Sequence, residues 1–60
     1  MHLLKRIERY LKESRTPATR FGRLAVRDPR FVHDLRRGRR LRRNTERRVI
    51  AYLDRMEQKP

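Results

Sequence analysis

Three breaks, at Thr16-Pro17, Asp28-Pro29 and Gly38, cut the apolar pattern of this chain into short lengths and so limit what it can fold into. Proline fixes φ and has no amide to donate, so it is tolerated at the first position of a helix and breaks one in its interior. The threonine and aspartate before the first two prolines are residues whose side chains accept from free helix amides. Gly38 is suited to ending a helix in the left-handed conformation. Thr16 to Gly38 therefore reads as two short helices joined by a tight connection, the first about residues 17–25 and the second about 29–37. Phe21, Leu24 and Ala25 face inward on the first, and Phe31, Val32 and Leu35 on the second. Gly22 costs helix propensity, but it removes a side chain where another helix can approach closely.

Apolar stripes at helical spacing flank this unit on both sides. Leu3, Leu4, Ile7, Tyr10 and Leu11 make one face of a first helix, about residues 2–14, after a solvated His2. The other face carries Lys5, Arg6, Glu8, Arg9, Lys12 and Glu13, with Glu8 and Lys12 as a favourable i,i+4 pair. Residues 39–43, Arg-Arg-Leu-Arg-Arg, form a charged connection anchored by Leu41. Asn44 or Thr45 caps a last helix, about 45–57, with Glu46 favourably near its positive end. Val49, Ile50, Leu53 and Met56 form its stripe, Tyr52 flanks it, and Gln58-Lys59-Pro60 is a frayed end. No segment has the period of a strand. The expected fold is all-α, a compact four-helix domain containing a helix-turn-helix and occupying residues 1–60 as a single domain.

Charge narrows the partner. Nineteen Lys and Arg against seven Asp and Glu give a formal net charge of +12, and sixteen of the nineteen are arginine. So much charge on so small a body repels itself unless a polyanion neutralises it. Guanidinium forks fit phosphate oxygens and guanine edges bidentately, whereas lysine acts as a point charge. A solubilising surface would mix the signs more evenly. A sixty-residue domain buries only about 60% of its unfolded surface, and no cysteine is present to staple it by disulfide or thiolate zinc. The missing cysteines fit an intracellular protein. No apolar run approaches the roughly 20 residues of a membrane span, and Met-His-Leu-Leu-Lys-Arg has the wrong charge order for a signal peptide. A cytoplasmic, nucleoid-associated protein with no membrane partner is the expectation.

The spacing then resembles a known family. Counted from Ala18, the apolar positions fall on Phe21, Ala25, Val32 and Leu35, and the small residue of the first helix on Gly22. Leu35-Arg36-Arg37-Gly38-Arg39-Arg40, followed by Asn44-Thr45-Glu46 and another amphipathic helix, is similar to the lambda-repressor-like (Cro/C1, XRE-type) DNA-binding domain. The likeness covers about residues 3–56. Two positions depart from it. Val26 stands where the family commonly has glycine, and Arg27 where it has an apolar residue, so Val26 would supply the buried turn contact one residue early. The chain has four helices in this reading where many members have five.

What the resemblance implies is a second helix inserted in the major groove with its N-terminal half nearest the bases. Asp28, Arg30, His33, Asp34 and Arg37 would face the groove. Arg30 would read guanine O6 and N7 bidentately, His33 would donate to a base or a phosphate, and Asp34 would accept from cytosine N4 or orient Arg30 or Arg37. Thr19 and Arg20 would meet phosphate, and Arg39, Arg40, Arg42 and Arg43 would hold the backbone without reading sequence. The duller alternatives are a solvated face for Arg30, His33 and Arg37 and a tolerated defect at Gly22. Phe31 reads as core in preference to a base-stacking aromatic, and Tyr10 and Tyr52 as core-edge residues with wet hydroxyls and not a stacking platform.

No catalytic constellation stands up, so an enzyme is not expected and no cofactor is called for. His33 has only Asp34 beside it, and helix neighbours point about 100° apart. Ser14, the sole serine, has no base at a legible spacing, and two histidines without cysteine make a poor metal site. The reading is sequence-specific double-stranded DNA binding by a small prokaryotic or phage transcriptional regulator. Two others stand beside it: non-specific or architectural binding of DNA or RNA, and a protein-interaction module such as an antitoxin or a polymerase-recruiting subunit. Leu3, Leu4, Tyr52 and Met56 are either surplus apolar surface for a homodimer or ordinary core.

Overall fold

The computed structural model describes residues 3–58, so His2 and the end at Lys59-Pro60 lie outside it. Its four helices are α1 (Leu3–Ser14), α2 (Ala18–Val26), α3 (Phe31–Arg36) and α4 (Arg43–Glu57). The described residues contain no strand, which makes the domain all-α with four helices. α2 packs most extensively on α3 and also on α4, and α1 spans the two from the other side.

The core is one cluster. Ile7 and Leu11 of α1, Phe21 and Ala25 of α2, Phe31 and Val32 of α3, and Val49 and Leu53 of α4 are buried together. Leu3, Leu4, Tyr10, Val26, Leu35, Leu41 and Tyr52 pack half-buried around them, so Leu3, Leu4 and Tyr52 belong to the core margin. Phe21 is the centre of an aromatic row, with its ring centroid 5.8 Å from Tyr10 and 5.5 Å from Tyr52, the latter edge-on. Edge-to-face packing places a positive ring edge on a negative ring face and adds to the area buried.

Gly22 sets how α2 and α3 cross. A Cβ built there would lie 2.2 Å from the carbonyl oxygen of Asp28 and 3.1 Å from the Cβ of Phe31. The backbone leading into α3 passes through the space that any side chain would need. This contact also corrects one expected core position. Phe21, Gly22 and Ala25 turn inward, and Leu24, expected inside, is 57% exposed. Because α3 presses on the Gly22 side of α2, the side bearing Leu24 is turned to solvent.

The helix ends differ from the expected boundaries where local hydrogen bonding decides. Pro17 is the N-cap of α2 and not its first residue, and no side chain caps that end; the Thr16 hydroxyl lies 2.7 Å from that of Ser14 instead. α2 runs one residue further, to Val26, and Arg27 takes the left-handed conformation at φ 57°. Its amide donates to Arg23 and that of Asp28 to Gly22, which satisfies carbonyls the helix leaves free. The buried turn contact assigned to Val26 is therefore made from inside the helix, half-buried against the core.

Pro29 and Arg30 form a turn before α3, where the Asp28 Oδ1 accepts from the Arg30 amide at 3.0 Å. Gly38 ends α3 at φ 100°, its amide donating to Leu35 and that of Arg39 to Asp34, as its position in the sequence leads one to expect. α4 begins at Arg43, before the expected 45, and neither Asn44 nor Thr45 caps it. Its N-cap is Arg42, which makes no side-chain cap bond.

Two substitutions separate these effects. Gly22→Ala should destabilise the fold by roughly 2–3 kcal/mol, since a backbone carbonyl and not a flexible side chain must give way. Arg27→Gly should stabilise it by up to about 1 kcal/mol by relieving a left-handed non-glycine residue. In a domain of this size about 1 kcal/mol moves Tm by roughly 4–8 °C, so thermal unfolding followed by circular dichroism resolves both signs.

Candidate nucleic-acid interface

α3 divides its residues by angle. At about 100° per residue, Phe31, Val32 and Leu35 fall on the arc turned to the core, while Arg30, His33, Asp34 and Arg37 fall within one opposite arc of about 100°. Arg30, His33 and Arg37 are exposed and Asp34 is half-buried. Four of the five residues expected at base edges thus share one face, Arg30 and Arg37 at the cap positions of α3, while Asp28 lies before the turn that leads into it.

Two of them have partners that sequence spacing did not suggest. Asp28 caps the turn into α3 through one carboxylate oxygen and meets Arg39 Nη1 with the other at 3.1 Å. Asp34 meets the same Nη1 at 3.2 Å, and not Arg30 or Arg37 as anticipated. The Arg39 guanidinium also lies over the Phe31 ring, 5.9 Å from its centroid. Such a placement favours the cation through the negative ring face. Arg39, expected on phosphate, is therefore a clamp that closes the end of α3 onto its beginning, and Asp28 and Asp34 are the jaws. Arg40, Arg42 and Arg43 beyond it are exposed, with Leu41 half-buried against the core to hold the strand of arginines in place.

α1 is tied across the bundle by two more pairs. Glu8 accepts bidentately from Arg36 of α3 at 2.7 and 2.8 Å, and this replaces the expected local pair with Lys12. Arg6 donates to Asp54 at 2.6 Å and Glu57 at 2.7 Å on α4. The ion pairs among the described residues thus occupy Arg6, Arg36 and Arg39. They hold five of the seven acidic residues of the chain.

Thr19 and Arg20 are exposed near the start of α2, where no side chain caps the helix and no acidic residue occupies the first turn. Arg20 lies on the α4 side. Burial pushes the Tyr52 hydroxyl above its ordinary pKa, nearby Tyr10 adds to this, and the Arg20 charge opposes it. The arrangement joins an exposed basic face on α3 to the arginines after Gly38, and leaves Thr19 and Arg20 on a neighbouring surface of α2. Among the described residues no three His, Cys, Asp or Glu side chains converge as a metal site would need, and no helix is long and apolar enough to cross a membrane. No protein-family model matches the chain, and no curated protein or solved structure does.

The carboxylate clamps make stability depend on acid. The hydrogen bonds from Arg36 hold the Glu8 carboxyl below its ordinary pKa, and the Arg30 amide, followed by Arg39, does the same for Asp28. A folded-state pKa below the unfolded one gives stability that is fully present above the unfolded value, about 4, and is lost as pH falls through the folded value. Acid titration of thermal stability should show this loss below about pH 4. Glu8→Gln and Asp28→Asn should flatten it. At neutral pH Glu8→Gln should cost no more than about 1 kcal/mol, since the pair is half exposed and screened.

Proposed function

We propose that the chain binds double-stranded DNA sequence-specifically, as a small transcriptional regulator of the lambda-repressor-like helix-turn-helix class. α2, the turn at Arg27 and α3 are its helix-turn-helix. The observation that carries this reading is the exposed Arg30, His33 and Arg37 on one arc of α3, continued by the exposed Arg40, Arg42 and Arg43. α3 enters the major groove, which is about 12 Å wide and accepts a helix about 10–12 Å in diameter.

Within that pose the residues divide their work. Arg30 reads guanine O6 and N7 by its two-pronged donor set, with Arg37 one further turn along and His33 between them. Arg39 holds α3 in shape, and Asp28 and Asp34 serve it there instead of reaching bases. Their negative charges also bar phosphate from that edge of α3. Arg42 and Arg43 stand at the start of α4, where cations oppose the helix dipole and no side chain satisfies the free amides. A phosphate oxygen at that end meets both amides and guanidiniums. Thr19 and Arg20 at the uncapped start of α2 offer a second such contact.

The exposed arginines of α2 and α4 favour a second reading, non-specific binding of duplex or RNA by charge alone. Binding-site selection from random duplexes followed by fluorescence anisotropy decides between the two. A recovered motif and a log-log salt slope near −5, for about six phosphate contacts, are the expected results. Equal affinity for the selected duplex, a random duplex and structured RNA would sink sequence specificity. Arg30→Ala should cost about 1–3 kcal/mol on the selected site and relax one base pair, whereas Arg42→Ala should weaken every duplex alike and make the salt slope shallower by about 1.

A further inference from the structure

α2 carries a second surface that neither the core nor the proposed DNA face uses. Leu24 is the large apolar side chain left exposed among the described residues. Two positions from Gly22, it stands about 200° round the helix, on the far side from the crossing with α3. It sits between two shallow depressions, one bordered by Pro17 and Arg23 together with Thr19 and Arg20 of the proposed phosphate contact, and the other, between α2 and α4, by Arg48, Ala51 and Arg55. No acidic residue lines either one, and the ion pairs among the described residues involve none of Arg23, Arg48 and Arg55.

We propose that this α2–α4 face docks an acidic amphipathic segment of a partner protein, seating an apolar side chain on Leu24 and Ala51 and carboxylates on Arg23, Arg48 and Arg55. Charge selects this occupant. A second copy would bring another +12 body against these three arginines. A duplex backbone offers phosphate to the rim but nothing to the apolar centre. An acidic segment with one apolar stripe satisfies both, because guanidinium forks take carboxylates bidentately while their methylene stems extend the apolar floor. Leu24 stands opposite the crossing with α3, and Arg23, Arg48 and Arg55 are outside the proposed DNA contacts, so the partner and DNA can be held together. The proposal stands independently of the DNA reading.

The test is a titration of the isotope-labelled full chain, without DNA, using a short synthetic glutamate-rich peptide with leucines at i,i+4 spacing. A version with serine in place of each leucine serves as its control. The leucine peptide should bind about tenfold more tightly than the serine one and shift the amide signals of Leu24, Arg48 and Ala51. Leu24→Gln, at an exposed position where the fold is insensitive, should remove that advantage while leaving affinity for the serine peptide and for duplex DNA unchanged. Equal binding of the two peptides, or binding of the leucine peptide that is indifferent to Leu24→Gln, would reduce the face to mere charge and overturn the proposal. So would displacement of the bound peptide from these signals by a stoichiometric DNA duplex, which would assign the face to nucleic acid.

Discussion

The approach of the Asp28 carbonyl to the backbone of Gly22 is the contact on which the remaining geometry depends. With no Cβ in the way, the chain turns at Arg27 and sets Phe31 directly against α2. Phe31 and Val32 then enter the same cluster as Phe21 and Ala25, and the opposite arc of α3 is left in solvent. The crossing therefore fixes two things together: what is buried, and which arginines point outward. It also leaves Leu24 outside, since a helix pressed on one side must turn the other away. The left-handed arginine at the turn is a local cost, one that packing of this crossing offsets.

The acidic residues are few, and most serve the architecture. Glu8 ties α1 to α3, Asp54 and Glu57 tie α4 to α1, and Asp28 and Asp34 close α3 around Arg39. Each exposed pair contributes little, typically about 0.2–1 kcal/mol. In a core of eight buried residues such increments are a large share of a marginal total. The pairs also sort the arginines into those that hold the fold and those that face outward. The outward ones repel one another and so oppose compaction, and the same field draws an anion toward the surface.

The sequence by itself determined the element count, the helical class and the places where the helices break, but not the caps that start them. Proline at 17 and 29 and glycine at 38 act within one turn of themselves, so their effects are readable from neighbours alone. Gly22 was legible as a close approach, and the exposed arc of Arg30, His33 and Arg37 follows from helical periodicity once Phe31, Val32 and Leu35 are core. Tertiary structure alone decided what periodicity leaves degenerate. Leu24 and Gly22 flank the same Phe21–Ala25 stripe, and only the position of α3 chooses which flank is buried. The partners of Glu8 and Arg6 lie 28, 48 and 51 residues away, beyond any local rule. Arg39 looked like one more member of a charged run; its meeting with Asp28, Asp34 and Phe31 exists because the Gly38 turn folds the chain back over α3. Local sequence set the helices and their stops, and the close packing at one glycine set which faces they show.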